Sequence, residues 1–544
     1  MTQSLQYSEK LNRLGKKAVS WRENDTERIT AAKKVLEVLE GSNWGEGKEW
    51  LAKTVELETN FELGTSEARS YASSNRYIFG TMIQSFLKNY VNRRDQDKQK
   101  VLEEGGIVSG YPGVSFEIRT TNKTIQQAGT DGEKICIVLG AGNQNFLTAI
   151  DVLNRVFLHK ECVLIKHHPL RPWLSEPFEQ IFDPLIQLHV VDQVLDDGVE
   201  FTQALIKSPQ VGHVHLTGAE ATYRAIQSTV ASDVSISAEL GCVTPWLIVP
   251  NLWTKKEILN AAKQLAAAKL ANGGANCLSP QVLLVAEQWS QKEEFLDCLQ
   301  KQFLSLPTPR AYYPGSRQRR DQVLEEYNQA PLGPDSDQVA LINLGSRNEI
   351  SNSQVLQNEV FGPLLAIVEI EGGGIHDDAS EWLLEKAVPY VNSEAIAGSL
   401  SLTLLSPASS KTAAIQSALE SLQYGSVCHN LWSVVGYISA QSGGSWGAHP
   451  FAADADKSGK GYIGNIFDIQ PTLEKTIVKG GTVAKPVIDF SQQVPGFVFD
   501  ALYVGMLRKD GSALRRLTSL FASRIKTTIL RRPATFRVAL PPPS

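Results

Sequence analysis

The amino-acid sequence predicts an α/β protein built on parallel sheets, and three observations lead there. Short runs rich in Val, Ile and Leu, namely KICIVLG (134–140), ECVLIKHH (161–168), LIQLHVV (185–191) and VGHVHLTG (211–218), alternate with segments of helical pattern. Continuous apolar runs of this kind suit strands covered on both faces by helices. The first hundred residues read as helices. TERITAAKKVLEVLEG places Ile29, Ala32, Val35, Leu36 and Leu39 on one face and ends at Gly41, as a packed wrapping does. After AELGC a second α/β region begins. Its first helix opens on a capping box from Thr254 to Glu257 and stops at Asn272-Gly273-Gly274, and the strand runs QVLLVAEQW and LLAIVEI follow.

At 544 residues the chain divides into two or three lobes. With 42% hydrophobic and 20% charged residues it belongs among ordinary globular proteins. A net charge of −5 gives no global attraction to nucleic acid. Six cysteines without a CxxC pair point to a reducing compartment, and no metal site is expected, since His167 and His168 lack a further ligand at useful spacing. The first residues lack a secretory pattern and no apolar run reaches membrane-span length, so the cytosol is the expected location. Loops are expected over 371–381 and 440–460, where Gly, Ser, Ala and Asp accumulate. From residue 506, nine Lys or Arg stand against one Asp, with Leu514, Leu517, Phe521, Ile525 and Ile529 at helical spacing. That tail is expected to be a basic amphipathic helix, for peripheral contact with an anionic membrane or for packing on the body or a partner subunit.

The segment NGGANCLSPQVLLV carries the first chemical signal. A helix stops on glycines and Cys277 follows before a strand begins, which exposes a thiol on a turn. A thiolate there can attack a carbonyl while neighbouring backbone N–H groups hold the developing oxyanion. Alone, such a cysteine is better read as a packing residue. Its company changes the reading: Glu239-Leu240-Gly241-Cys242 upstream and Glu359-Val360-Phe361-Gly362-Pro363 downstream.

From about residue 131 to 465 the ordered set resembles the aldehyde dehydrogenase superfamily, whose members combine a Rossmann-like cofactor domain, an α/β catalytic domain and a small oligomerisation arm. The resemblance implies Cys277 as nucleophile and Glu239 as the base that releases the acid. Asn143 is implied as the oxyanion-binding amide, with Asn145 as a competitor within GAGNQNF. For a dinucleotide, NAD or NADP, it implies Lys166 at the adenosine ribose, Thr217, Gly218 and Ala219 at the phosphates, and Glu359 with Phe361 at the nicotinamide end. Two motifs depart from the family. Tyr223 stands where the second glycine of the phosphate turn is usual, and Pro450-Phe451 is followed by Lys457-Ser458-Gly459-Lys460-Gly461 in place of a second glycine pair. Asn430 matches an asparagine that precedes that segment.

The expected organisation is a helical region over 1–110, a cofactor domain over 111–238, a catalytic domain over 239–465, an arm over 466–505 and the basic tail over 506–544. The implied activity is oxidation of an aldehyde to a carboxylic acid through a cysteine thiohemiacetal and thioester, in a homo-oligomer. Two rivals are a coenzyme A-acylating relative, against which Glu239 argues, and a non-catalytic scaffold, suggested by Tyr223.

Overall fold

The computed structural model describes residues 3–41, 49–93, 98–122, 130–350, 353–374, 378–452, 455–469, 473–488 and 498–499. The basic tail from residue 506 lies outside them. Among the described residues no helix is long and apolar enough to cross a membrane.

Two sheets organise the fold. A six-stranded sheet has the order Gly459–Lys460, Ser235–Glu239, Val211–Thr217, Ile135–Leu139, Val163–Lys166, Val191–Val194, parallel except for its first strand. A nine-stranded sheet runs Gly106–Ile107, Ser115–Thr120, Leu473–Lys479, Ser426–His429, Ser401–Leu405, Pro245–Ile248, Val282–Ala286, Leu364–Ile370, Ala340–Ser346. It is parallel from Leu473–Lys479 onward, and Ser115–Thr120 pairs antiparallel on both sides. Ile135–Leu139, Val163–Lys166 and Val282–Ala286 are buried along their whole length, which is why they read as unbroken apolar runs.

The N-terminal helices Gln3–Glu23, Asp25–Gly41, Glu49–Glu58 and Ser66–Asn92 wrap the smaller sheet. Trp21 donates its indole N–H to the Val156 carbonyl at 3.0 Å, and Lys10 binds Asp192 at 2.7 Å. The run LIQLHVV divides differently from the expected strand. Leu185 and Ile186 lie on the helix Asp183–Gln187, which Pro184 favours at its start, and the strand begins only at Val191 after a left-handed turn at His189 (φ 58°).

The sheets do not follow the expected lobes residue for residue. Ser115–Thr120 and Leu473–Lys479 pair with each other in the larger sheet, and Gly459–Lys460 crosses back to the smaller one beside Glu239. These crossings bring the end of the Glu239 strand against the segments before Val282–Ala286 and Leu364–Ile370.

Candidate active site

The cysteine loop forms where the helix Lys255–Leu270 ends. Thr254 and Glu257 close the capping box at its start. At its other end Asn272, Gly273 and Gly274 have φ of 56°, 62° and 76°, a left-handed run that unwinds the helix. Gly274 is also required by proximity, because a Cβ there would stand 2.3 Å from the Gly362 carbonyl oxygen. The loop is pinned from several elements: Asn276 donates to the Ala271 carbonyl at 3.0 Å, Gln144 to Asn276 Oδ1 at 2.7 Å, and Thr244 to the Cys277 carbonyl at 3.0 Å.

Cys277 Sγ lies 3.6 Å from Glu239 Oε1, with the thiol donating. Glu239 ends the strand Ser235–Glu239 and is 5% exposed. Burial, reinforced by the negative charge of Asp151, pushes its carboxyl up to about 8, while the Trp446 indole and the Cys277 thiol draw it partly back. Burial also raises the Cys277 thiol well above its ordinary value, with Glu239 and Glu359 adding to the rise. Thiol and carboxyl are therefore paired with little net charge between them.

Glu359 approaches from the opposite side. Its carboxylate lies against Gly241, where a Cβ would fall 2.1 Å from Oε2. Its Oε1 is covered and has no hydrogen-bond partner among the described residues. Burial raises this carboxyl to about 8, opposed by the Cys242 amide, Lys269 and Arg319. Lys269 is itself buried and lowered to about 7 by desolvation, which Glu359 opposes. Phe361 has a left-handed backbone (φ 51°), and its ring meets Tyr313 edge-on at 4.7 Å.

The Gly218 amide donates to the Glu239 carbonyl at 3.0 Å, so the Thr217-Gly218-Ala219 turn is fastened to the end of the Glu239 strand. Thr217 donates to Asp151 Oδ2 at 2.9 Å, and Ala219 is the extended residue before the helix Glu220–Gln227. The Tyr223 ring, at the position where the second glycine of this turn is usual, is buried in the hydrophobic core at 4% exposure. Lys166 ends its strand as expected, but its ammonium pairs with Asp196.

Of the two competing asparagines, Asn143 lies at the cysteine loop and donates to the Ala275 carbonyl at 3.1 Å, and its own carbonyl accepts from Asn272 at 2.9 Å. Asn145 turns inward, accepting from Arg171 and donating to Thr54 at 3.2 Å and Asn75 at 3.0 Å. Asn430 serves a turn (φ 57°) in which its Oδ1 accepts from Ser406 N. Ser458 donates to the Gly241 carbonyl at 2.9 Å and accepts from Ser399 N at 2.8 Å, and Gly459 pairs with Glu239, so the 457–461 segment closes over the base. Asp151, Trp446 and Lys269, which tune the two glutamates, were not singled out from sequence, because each comes from an element distant in the chain.

The aldehyde dehydrogenase family model matches residues 146–314, a stretch that holds Glu239 and Cys277 and ends before Glu359. The chain is 22% identical over 251 residues to a 4,4'-diaponeurosporen-aldehyde dehydrogenase of Staphylococcus aureus, covering 43% of this chain and 52% of that one. It is 26% identical over 298 residues to a probable coniferyl aldehyde dehydrogenase of Pseudomonas aeruginosa, covering 52% and 57%. The matches thus span about half the length of these curated relatives. In three dimensions the chain is similar to a succinic semialdehyde dehydrogenase from Streptococcus pyogenes in complex with NADP+, with a TM-score of 0.60 at 14% identity, over 88% of this chain and 95% of that one. With the motifs Glu239–Cys242, Asn272–Cys277 and Glu359–Pro363 gathered at one place, the chain is similar to the aldehyde dehydrogenase family in sequence over residues 146–314 and shares the fold of its solved members over most of its length.

Proposed function

We propose that the chain oxidises an aldehyde to a carboxylic acid, with Cys277 as nucleophile and Glu239 as general base. The observation that carries this reading is the 3.6 Å contact between the Cys277 thiol and a buried carboxyl raised to about 8. As the sulfur bonds to the aldehyde carbon, its proton passes to Glu239 and the carbonyl oxygen takes the electron pair. Asn143 and the Cys277 backbone N–H are assigned to hold that oxygen. After hydride leaves and Glu239 has released the thiol proton to solvent, the thioester is hydrolysed: water loses a proton to Glu239, its oxygen bonds to the acyl carbon, the C–S bond breaks, and Glu239 returns the proton to sulfur.

The residues present fit a nicotinamide dinucleotide on two observations. Glu359 Oε1 is a covered acceptor without a partner, and Gly218 and Ala219 lead into the N-terminus of a helix, where backbone N–H groups favour phosphate. Thr217, Gly218 and Ala219 would hold the phosphates, Lys166 the adenosine ribose, and Glu359 with Phe361 the nicotinamide end. A bound dinucleotide supplies the hydride acceptor.

The test is NAD(P)H formation across aliphatic, aromatic and amino aldehydes by the full chain. Cys277→Ser abolishes it while cofactor affinity stays within about threefold, because the thiol takes no part in dinucleotide binding. Cofactor affinity with no turnover on any aldehyde, in the wild-type chain, refutes the oxidation and leaves the scaffold.

A further inference from the structure

The Glu239 strand and its neighbour carry a second pattern on the face that bears Glu239. In the parallel register His213 lies beside Ser235, His215 beside Ser237 and Thr217 beside Glu239. Side chains alternate along a strand, so these six polar groups share one face of the sheet. They are joined: His213 Nδ1 contacts Ser235 Oγ at 2.6 Å, His213 Nε2 contacts Ser237 Oγ at 2.7 Å, and the same hydroxyl contacts His215 Nδ1 at 2.7 Å. His215 Nε2 stands 3.4 Å from Asp151 Oδ1, and Asp151 Oδ2 accepts from Thr217, the cross-strand neighbour of Glu239.

His213, His215, Ser237, Asp151 and Glu239 are all buried, whereas Ser235 at the other end is half-buried and two residues from the exposed Asp233. At the Glu239 end His215 Nε2 and Asp151 Oδ1 face only each other, at 3.4 Å and without hydrogen-bond geometry, and Glu239 Oε2 is covered without a hydrogen-bond partner among the described residues. A purely structural polar ladder satisfies its members, since each unpaired buried polar atom costs about 1–3 kcal/mol. Unpartnered atoms at the catalytic end fit groups that exchange a proton. Further charged and titratable neighbours are Arg155, His159 and Glu161 at the covering helix, Cys136 on the adjoining strand and Tyr437 beside Asp151 and Glu239, with Arg155 and Glu161 paired at 2.6 Å.

We propose that Asp151, His215, Ser237 and His213 form a proton relay that carries the proton released by Glu239 through the sheet to solvent at Ser235, a bridging water at Glu239 Oε2 handing it to Asp151. The inference rests on Glu239 acting as the base. Attack on the aldehyde leaves the thiol proton on Glu239, and that proton must depart before the carboxylate can take one from water. One proton per turnover leaves in this way. The path from Glu239 to Ser235 spans four residues of strand, about 13 Å. A neutral imidazole accepts a proton at one nitrogen and gives one up at the other, and a hydroxyl both donates and accepts, so the alternation of His and Ser is competent for stepwise transfer.

Hydrolysis of p-nitrophenyl acetate by the full chain tests the relay without cofactor: ester attack acylates Cys277, p-nitrophenolate leaves as an anion, and Glu239 keeps the thiol proton. Ser237→Ala removes the hydroxyl shared by both histidines. The expected result is an unchanged burst, a steady rate lower by about tenfold, a larger solvent deuterium isotope effect on that rate, and recovery in Ser237→Thr. His215→Gln behaves like Ser237→Ala. A steady rate and isotope effect equal to wild type, with the burst intact, overturn the relay and leave Cys277 and Glu239 in their roles. Burst and steady rate falling together, with no change in isotope effect, mark a structural ladder and also overturn it. Ester hydrolysis by Cys277→Ser at the wild-type rate overturns the nucleophile assignment and the relay with it.

Discussion

Lys166 and Asp196 form an ion pair at the carboxyl ends of two adjacent parallel strands of the smaller sheet. Lys166 is the residue assigned to the adenosine ribose, so the proposed site brings a carboxylate to that ribose. A carboxylate there accepts from a 2′-hydroxyl and repels a 2′-phosphate. The expected outcome is a preference for NAD, measured as the ratio of kcat/KM values for the two cofactors. Asp196→Ala shifts that ratio toward NADP by about tenfold or more.

The raised Glu239 carboxyl sets a pH dependence. Only its ionised form accepts a proton, so thioester hydrolysis accelerates as pH rises and levels off above about 8. Glu239→Gln flattens this profile and gives a burst of NAD(P)H followed by a slow steady rate. Stability moves the opposite way. The folded value, about 8, lies above the ordinary 4.5, so this group's contribution is complete below pH 4.5 and is lost as pH rises through 8. Thermal unfolding of Glu239→Gln at pH 9 therefore has a higher midpoint than wild type.

The loop that carries Asn143 depends on a buried ion pair. Arg171 is fully buried, binds Glu58, and donates to the carbonyls of Gly142 at 2.7 Å and Asn143 at 3.0 Å. Glu58 also accepts from Tyr71 at 2.6 Å. Glu58→Ala strands a buried guanidinium and is expected to cost about 3–5 kcal/mol in denaturant unfolding. Aldehyde oxidation falls along with it, because Asn143 loses its support.

Tyr223 replaces a glycine expected at the phosphate turn, yet its ring belongs to the core. Tyr223→Ala is expected to destabilise by about 3 kcal/mol or more through the cavity it leaves. Tyr223→Phe retains the ring and leaves both the unfolding midpoint and dinucleotide affinity, measured by calorimetry, close to wild type. Tighter binding in Tyr223→Phe would show that the phenol opposes the cofactor.

The cysteine loop was legible in the sequence because its causes are local, a capping box and a helix that stops on Asn272-Gly273-Gly274, whereas Glu239 and Glu359 were legible through the resemblance of the motifs around them. The sequence put Asn143 ahead of Asn145 by resemblance, but the physical difference between them was not legible, since it depends on Arg171 taking Asn145 into its own network. VGHVHLT read as a continuous apolar run, although its His213, His215 and Thr217 alternate with apolar residues as a period of two. Which face it occupied, and that a helix carrying Asp151 covers that face, followed only from the parallel pairing of His213 with Ser235. Strand register and burial are settled between segments that are distant in sequence. The charges that raise Glu239 and the partners that join its ladder therefore arise only when the sheets close around them.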